Sequence, residues 1–219
     1  MTGHPTDDLL MAYAAGALSS GAGLVVAVHL THCPGCRRAV AAMDAVGGAL
    51  LGALPPAAVS AGARERTMAR LDSPAANDPA ADEPDAAPPP AGRVLLPAAI
   101  RRCFGTDVDA MAWTRVLRGV DQVMVDLGDG TRTRLMRIRA GTAVPAHTHR
   151  GQELVCVLAG SFSDSTGRYG PGDVAIADES VDHRPTADPD GDCICLAVTE
   201  APVVLTGRFW RLLNGFVRF

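Results

Sequence analysis

Apolar residues recur at helical spacing through the first third of the chain and with a period near two through most of the last half. Leu9, Leu10, Tyr13 and Leu18 space a first helix over residues 7–18. Thr6 stands ready as its N-cap, with Asp7 and Asp8 at the positive end of the helix dipole. Ser20 is placed to cap a second helix reaching about residue 31, and a third is expected over about 36–51, where the Gly47 and Gly48 pair loosens an alanine-rich run. Pro55 and Pro56 stop it. A fourth helix follows over about 57–71, with Arg64, Arg66 and Arg70 read as a solvated face.

The pattern then changes twice. Residues 73–92, SPAANDPAADEPDAAPPPAG, hold six prolines, four acids and no large apolar side chain, so they cannot bury enough surface to fold and read as a linker. Beyond it, residues 123–127 and 131–138 flank the turn Gly128-Asp129-Gly130 as a hairpin. Further short strands are expected at 154–158, 173–177, 193–198 and 203–205, a series that predicts a β-sandwich or small barrel. Phe209, Trp210, Leu212, Leu213 and Phe216 suggest a closing helix from residue 207.

Composition narrows the function. The 219 residues carry a formal charge of −4, and the excess acids all fall in the linker. Acids and bases balance in residues 1–72 and again in 93–219, so neither half has the positive face needed to displace counterions from nucleic acid. The apolar runs are too short to span a bilayer, and the first residues carry neither the basic start nor the apolar run of a signal peptide. A cytoplasmic protein is expected, with reduced thiols available to metal.

Two groups of residues carry chemistry. His29, Cys33 and Cys36 lie in HLTHCPGC, where a two-residue gap filled by Pro34 and Gly35 lets a tight turn aim both sulfurs at one point. Thiolate and imidazole are the donors that tetrahedral zinc prefers, and His4, just ahead of the first helix, is the candidate fourth ligand. Such a staple supplies stability that short alanine-rich helices lack. The second group is His147 and His149, at alternate positions as on one strand face, Glu153 from the adjoining turn, and His183 after a segment containing Asp178 and Ser180. Three imidazoles and a carboxylate suit zinc, iron, manganese or nickel, and these donors do not select among them.

The spacing of glycines, histidines and glutamate from Gly141 to Gly160 resembles the first motif of the cupin family. The stretch from Gly172 to His183 matches the second motif in spacing, with Asp178, Ser180 and Ala187 where the family usually has proline, glycine and asparagine. The whole layout, including GDCICLAVTEAPVVLTG and the ending RLLNGFVRF, is similar to the ChrR-type zinc-binding anti-sigma factors. The resemblance implies an α + β two-domain chain: a zinc-stapled helical domain over 1–72, a linker over 73–92 and an all-β cupin jelly-roll barrel over 93–219. It implies zinc on His4, His29, Cys33 and Cys36, and a second zinc or other divalent ion on His147, His149, Glu153 and His183. It further implies an extracytoplasmic-function sigma factor as partner, released on oxidative stress such as singlet oxygen or organic peroxide, and no catalysis.

Two other readings remain open from the sequence. One is a cupin metalloenzyme of dioxygenase type with a helical assembly module; the other is a thiol switch in which oxidation of Cys33 and Cys36 ejects zinc. Cys193 and Cys195 share a strand face. They read as small buried hydrophobes, too nearly parallel for a disulfide.

Overall fold

The protein is described here by a computed structural model covering residues 3–71, 96–104 and 108–206. The linker expected over 73–92 and the closing helix expected from residue 207 lie outside the described residues. Contacts divide the chain into two compact units, Met1–Val46 with Val94–Phe219, and Gly47–Arg93.

Helix α1 spans Asp7–Ala14, and Thr6 caps it by accepting from the Leu9 amide at 3.3 Å. It ends four residues before the expected position because Gly16 adopts a φ of 65°. The Gly16 and Ala17 amides then return to the carbonyls of Tyr13 and Ala12, a Schellman closure that satisfies the last turn. Helix α2 spans Ser20–His32, and its cap is Ser19 rather than Ser20, accepting from Ala22 at 3.3 Å. Helix α3, Pro34–Gly52, starts two residues early, since proline suits the first helical position and Cys33 caps it through sulfur. It runs unbroken through Gly47 and Gly48.

The β portion forms a six-stranded antiparallel sheet in the order β1-β2-β3-β10-β5-β8. These strands are β1 Thr114–Leu117, β2 Val120–Val125, β3 Arg132–Ile138, β5 Glu153–Ala159, β8 Val174–Ala177 and β10 Cys193–Thr199. Shorter strands complete the sandwich: β4 His147–Thr148 pairs with β11 Val204–Leu205, and β6 Phe162–Ser163 lies between β7 Arg168–Tyr169 and β9 Thr186–Ala187. The expected strands are present. The two-residue strands β6, β7 and β9 and the exposed edge strand β1 escaped the pattern because they are too short or too open to alternate.

Side chains alternate across the sheet. Val120, Ile138, Val157, Ala175, Cys193 and Cys195 form an inner core with Phe162 and Ala187. Leu135, Leu154, Cys156, Leu158, Ile194, Leu196 and Val198 face the other way and meet Ala22, Leu24, Val25 and Val28 of α2. Helix α5, Ala98–Phe104, adds Ile100 to this layer and is a helix the sequence pattern missed, being under two turns long. Helix α1, the start of α3 and the far side of α2 share a third cluster of Leu10, Val26, Cys33, Cys36 and Val40.

The N-terminus of α2 is pinned to the β2–β3 hairpin, where Asp129 accepts from the Gly21 amide at 2.9 Å. That approach leaves no room for a side chain, because a Cβ on Gly21 would lie 2.5 Å from Thr133 Oγ1 and 2.8 Å from Val198 Cγ1. In the second unit, helix α4 spans Ala63–Leu71 and starts six residues later than expected, after Gly62 at a φ of 71°. Its described residues include none that is buried, and Leu50, Leu51, Leu54, Val59, Met68 and Leu71 are exposed. No helix among the described residues is long and apolar enough to cross a membrane.

The contrast between two glycines tests the helix-on-sheet packing. Gly21→Val forces the surfaces apart and is expected to cost about 1–3 kcal/mol. Gly23→Ala, in the same helix but with nothing within 4 Å of its Cβ, is expected to be neutral or to gain up to about 1 kcal/mol from helix propensity. Urea midpoints of the two variants distinguish these outcomes.

Candidate metal centres

The first cluster is built where α2 hands over to α3. His29 lies one turn before the end of α2, Cys33 bridges the helices, and Cys36 occupies the first turn of α3 with its amide 3.4 Å from Cys33 Sγ. His4 arrives from the segment ahead of α1. Its Nδ1 is 3.4 Å from His29 Nε2 and 3.6 Å from each sulfur, and His29 Nε2 is 3.2 Å from Cys36 Sγ. Tetrahedral zinc with bonds of about 2.0–2.1 Å to nitrogen and about 2.3 Å to sulfur spaces its ligands about 3.3–3.8 Å apart, so this donor set fits.

Protonation agrees with that fit. Burial alone would raise the Cys33 thiol, but hydrogen bonds from Cys36 and Gly35 outweigh it and hold Cys33 below its ordinary value. Cys36 is pushed up to about 11 by burial and by its hydrogen bond with Cys33, so without an ion the pair keeps at least one proton. His29 is lowered, first by burial. Its Nδ1 lies 2.7 Å from the Gly172 carbonyl, which can only accept; the proton therefore sits on Nδ1 and leaves the Nε2 lone pair facing the sulfurs.

That carbonyl belongs to the turn before β8. Asp173 accepts from the Gly3 amide at 3.0 Å, and Val174 donates to the Gly3 carbonyl at 3.0 Å. The knuckle is thus tied to the barrel through His29 and through Gly3, the residue before His4.

The second cluster lies inside the barrel. His147 and His183 exchange both backbone hydrogen bonds at 3.0 Å, an antiparallel bridge that sets their imidazoles side by side. His183 Nε2 is 3.2 Å from His147 Nε2 and 3.1 Å from His149 Nε2, and Glu153 Oε2 is 3.4 Å from His149 and 3.8 Å from His183. All four residues are buried. Two placements differ from expectation. His149 lies just past β4 instead of on it, because that strand is only two residues long, and Glu153 opens β5 instead of sitting in the turn.

The tautomers are again fixed from behind. His147 Nδ1 donates to the Pro145 carbonyl at 2.8 Å, and His183 Nδ1 lies 2.7 Å from Asp164 Oδ2. Burial works against the Asp164 carboxylate, but hydrogen bonds from Thr166 and His183 outweigh it and hold Asp164 below the usual carboxylate range. A charged carboxylate there favours the imidazole proton on Nδ1, so the Nε2 atoms of His147 and His183 face each other across 3.2 Å, the side on which a shared cation would be held. Burial is also the first reason that His147 is lowered to about 4 and His149 to about 3, leaving both neutral and ready to ligate. Glu153 is raised by burial, against the pull of Arg134 and His183.

The geometry therefore brings together every residue expected of each set: His4, His29, Cys33 and Cys36 in one group, and His147, His149, Glu153 and His183 in the other, each with donor atoms within 4.8 Å of one another. Sequence reasoning missed Asp164 and Arg134. Asp164 sits in an ordinary Asp-Ser-Thr-Gly turn, and nothing local points it at His183. Arg134 had a faint signal, since it shares the strand face of Met136 and Ile138, where a charge breaks the apolar pattern. Cys193 and Cys195 are buried on the inner face as expected.

Comparison with known proteins bears on the whole chain. A profile described as the ChrR cupin-like domain matches residues 102–203, and a zinc-finger profile matches residues 5–37. The anti-sigma-E factor ChrR of Cereibacter sphaeroides is 41% identical over 217 residues, which is 98% of this chain and 97% of that protein. The chain belongs to the ChrR family of anti-sigma factors. Its fold agrees with that of ChrR in the crystal structure of Rhodobacter sphaeroides SigE in complex with the anti-sigma ChrR, with a TM-score of 0.76 at 41% identity over 90% of this chain and 98% of that one. The two profiles divide as the two donor sets do, since the zinc-finger match contains His29, Cys33 and Cys36 and the ChrR cupin-like match contains the barrel cluster.

Two measurements probe these sites. His147 and His149 stay neutral in the folded metal-free protein while the unfolded chain takes up protons near pH 6.5. Stability of the chelator-treated protein is therefore expected to fall as pH drops below about 6.5 and to go on falling toward the folded values of about 4 and 3, by up to about 1.4 kcal/mol per pH unit for each histidine. Urea titrations at several pH values check the slope, which His149→Gln should make shallower. Removing the support behind His183 by Asp164→Asn is expected to weaken metal binding at the barrel by about 10–100-fold without unfolding the chain, as read by chelator competition.

Proposed function

We propose that this protein is a cytoplasmic anti-sigma factor that sequesters an extracytoplasmic-function sigma factor from RNA polymerase and releases it on oxidative stress, singlet oxygen or organic peroxide, sensed in the barrel. The single observation that carries the reading is the 41% identity over 98% of the chain to a protein named as an anti-sigma-E factor. Exposed apolar side chains at the end of α3 support it. Leu50 and Leu51, in its last turn, are each more than 60% exposed, apolar side chains of the kind that a partner covers.

On this reading His4, His29, Cys33 and Cys36 hold one zinc ion, and His147, His149, Glu153 and His183 hold a second zinc or another divalent ion. Zinc at the first set contributes folding free energy that the short helices around Leu10, Val26 and Val40 do not supply alone. The barrel serves as a sensor and not as an enzyme. Strand β8 supports transmission between the sets, since it begins beside the Gly172 carbonyl bound to His29 and ends at Ala177, the register partner of Glu153. The helical region 1–72, the linker and the barrel over 93–219 act as capture, tether and sensor.

The test uses the full chain. Zinc-loaded protein is expected to co-elute at one to one with an extracytoplasmic-function sigma factor from the same genome, and Cys33→Ser/Cys36→Ser is expected to abolish co-elution. Photosensitised singlet oxygen or an organic peroxide should dissociate the wild-type complex but not that of His147→Ala/His149→Ala. Absence of any complex with the zinc-loaded chain overturns capture. Equal release from both complexes overturns sensing in the barrel.

A further inference from the structure

The barrel interior encloses more than the metal-ligand candidates. His147, Glu153 and His183 border a cavity of about 70 Å³, room for several waters at about 10–15 Å³ each. Most of its wall is apolar, with Val120, Ile138, Val144 and Phe162 among the lining residues, and His147, Glu153, His183 and Arg134 line it as well.

Arg134 is the anomaly. It lies in the middle of β3 with its side chain on the inner face, and it is 3% exposed. Its nearest anion is Glu153, whose Oε1 is 3.8 Å from Nη2, beyond hydrogen-bond length, and its Nε is buried with no hydrogen-bond partner. A guanidinium stays protonated in proteins, so this is a full positive charge held out of water and left incompletely paired. Leaving it so is strongly unfavourable. It lines the same cavity as His147 and His183, where it would repel a cation on its own account.

The charges in the interior define what is lacking. Glu153 and Asp164 bring two negative charges and Arg134 one positive charge. A divalent ion on the histidine set leaves the interior one positive charge in excess. One monoanion closes the balance. The flat fork of a guanidinium matches a carboxylate in two parallel hydrogen bonds. The apolar wall disfavours multiply charged hydrated anions such as phosphate, and a bare halide would leave the apolar space unfilled.

We propose that the barrel is a binding site for a short aliphatic monocarboxylate, with its carboxylate held by Arg134 beside the metal set and its hydrocarbon chain against Val120, Ile138, Val144 and Phe162. The inference rests on the reading that His147, His149, Glu153 and His183 hold a divalent ion. It goes beyond capture and stress release by giving the sensor domain a ligand of its own, and a pre-bound carboxylate occupies the space through which an oxidant would reach the site.

The test is calorimetric titration of sodium butyrate into the full-length metal-loaded chain at constant ionic strength, with metal content measured on the same sample and butyramide as the neutral isostere. Saturable one-site binding of butyrate is expected, with none of butyramide and none of butyrate after chelation. Arg134→Gln should raise Kd at least about tenfold. Arg134→Lys, which keeps the charge but loses the fork, should fall between, and it carries the residue test if the glutamine variant does not fold. A chain loaded with two ions that takes up no butyrate, or that takes up butyramide equally, overturns the proposal while leaving the metal reading intact. So does wild-type affinity in a folded Arg134 variant. A barrel that holds no ion overturns the metal reading, and this inference with it.

Discussion

Apolar strands that are hydrophobic on both faces set the terms for this fold. β10 is buried at all seven positions, and β5 is buried or half-buried throughout, so neither face of the central sheet tolerates water. A sandwich satisfies one face by closing on itself around Val157, Phe162 and Cys195. The other must be covered by something else. Helix α2 does this with Val25 and Val28, both fully buried, and α5 adds Ile100. Because α2 also carries His29 and leads into Cys33, the demand of the sheet for a cover fixes where the first donor cluster stands.

Both clusters share a design in which the proton on the back of an imidazole decides what its front can do. Carbonyls of Gly172 and Pro145 and the carboxylate of Asp164 hold the Nδ1 protons of His29, His147 and His183. Each ring therefore turns its Nε2 inward, and burial favours the neutral form of His29 and His147. The clusters differ in the remaining donors. Thiols beside imidazoles suit a closed structural ion, while a carboxylate beside an apolar cavity and a buried arginine leaves space for another molecule.

Both donor sets could be read from sequence because their spacing is mostly local: His29, Cys33 and Cys36 fall within two helical turns, and His147, His149 and Glu153 within seven residues. His183 was found through a second spaced motif. What could not be read was set by partners distant in the chain. Gly16 ended α1 through a left-handed turn inside a run with helical periodicity, and Cys33 took the role of cap, which composition does not assign to it. Asp164 reaches His183 across 19 residues, and only the folded hairpin makes that contact. The uninterrupted apolar runs at 154–158 and 193–198 already signalled burial on both sides, but no periodicity says which helix supplies the cover.

The hydrogen bond from His29 to Gly172 means that the zinc knuckle borrows part of its scaffold from a segment 143 residues away. A truncated chain ending before the barrel would keep all four thiol and imidazole donors, yet it would surrender the backbone acceptor that orients one ring and turn Val25 and Val28 toward solvent. Its affinity for metal and its tendency to self-associate would then be properties of the cut, distinct from those of the intact molecule.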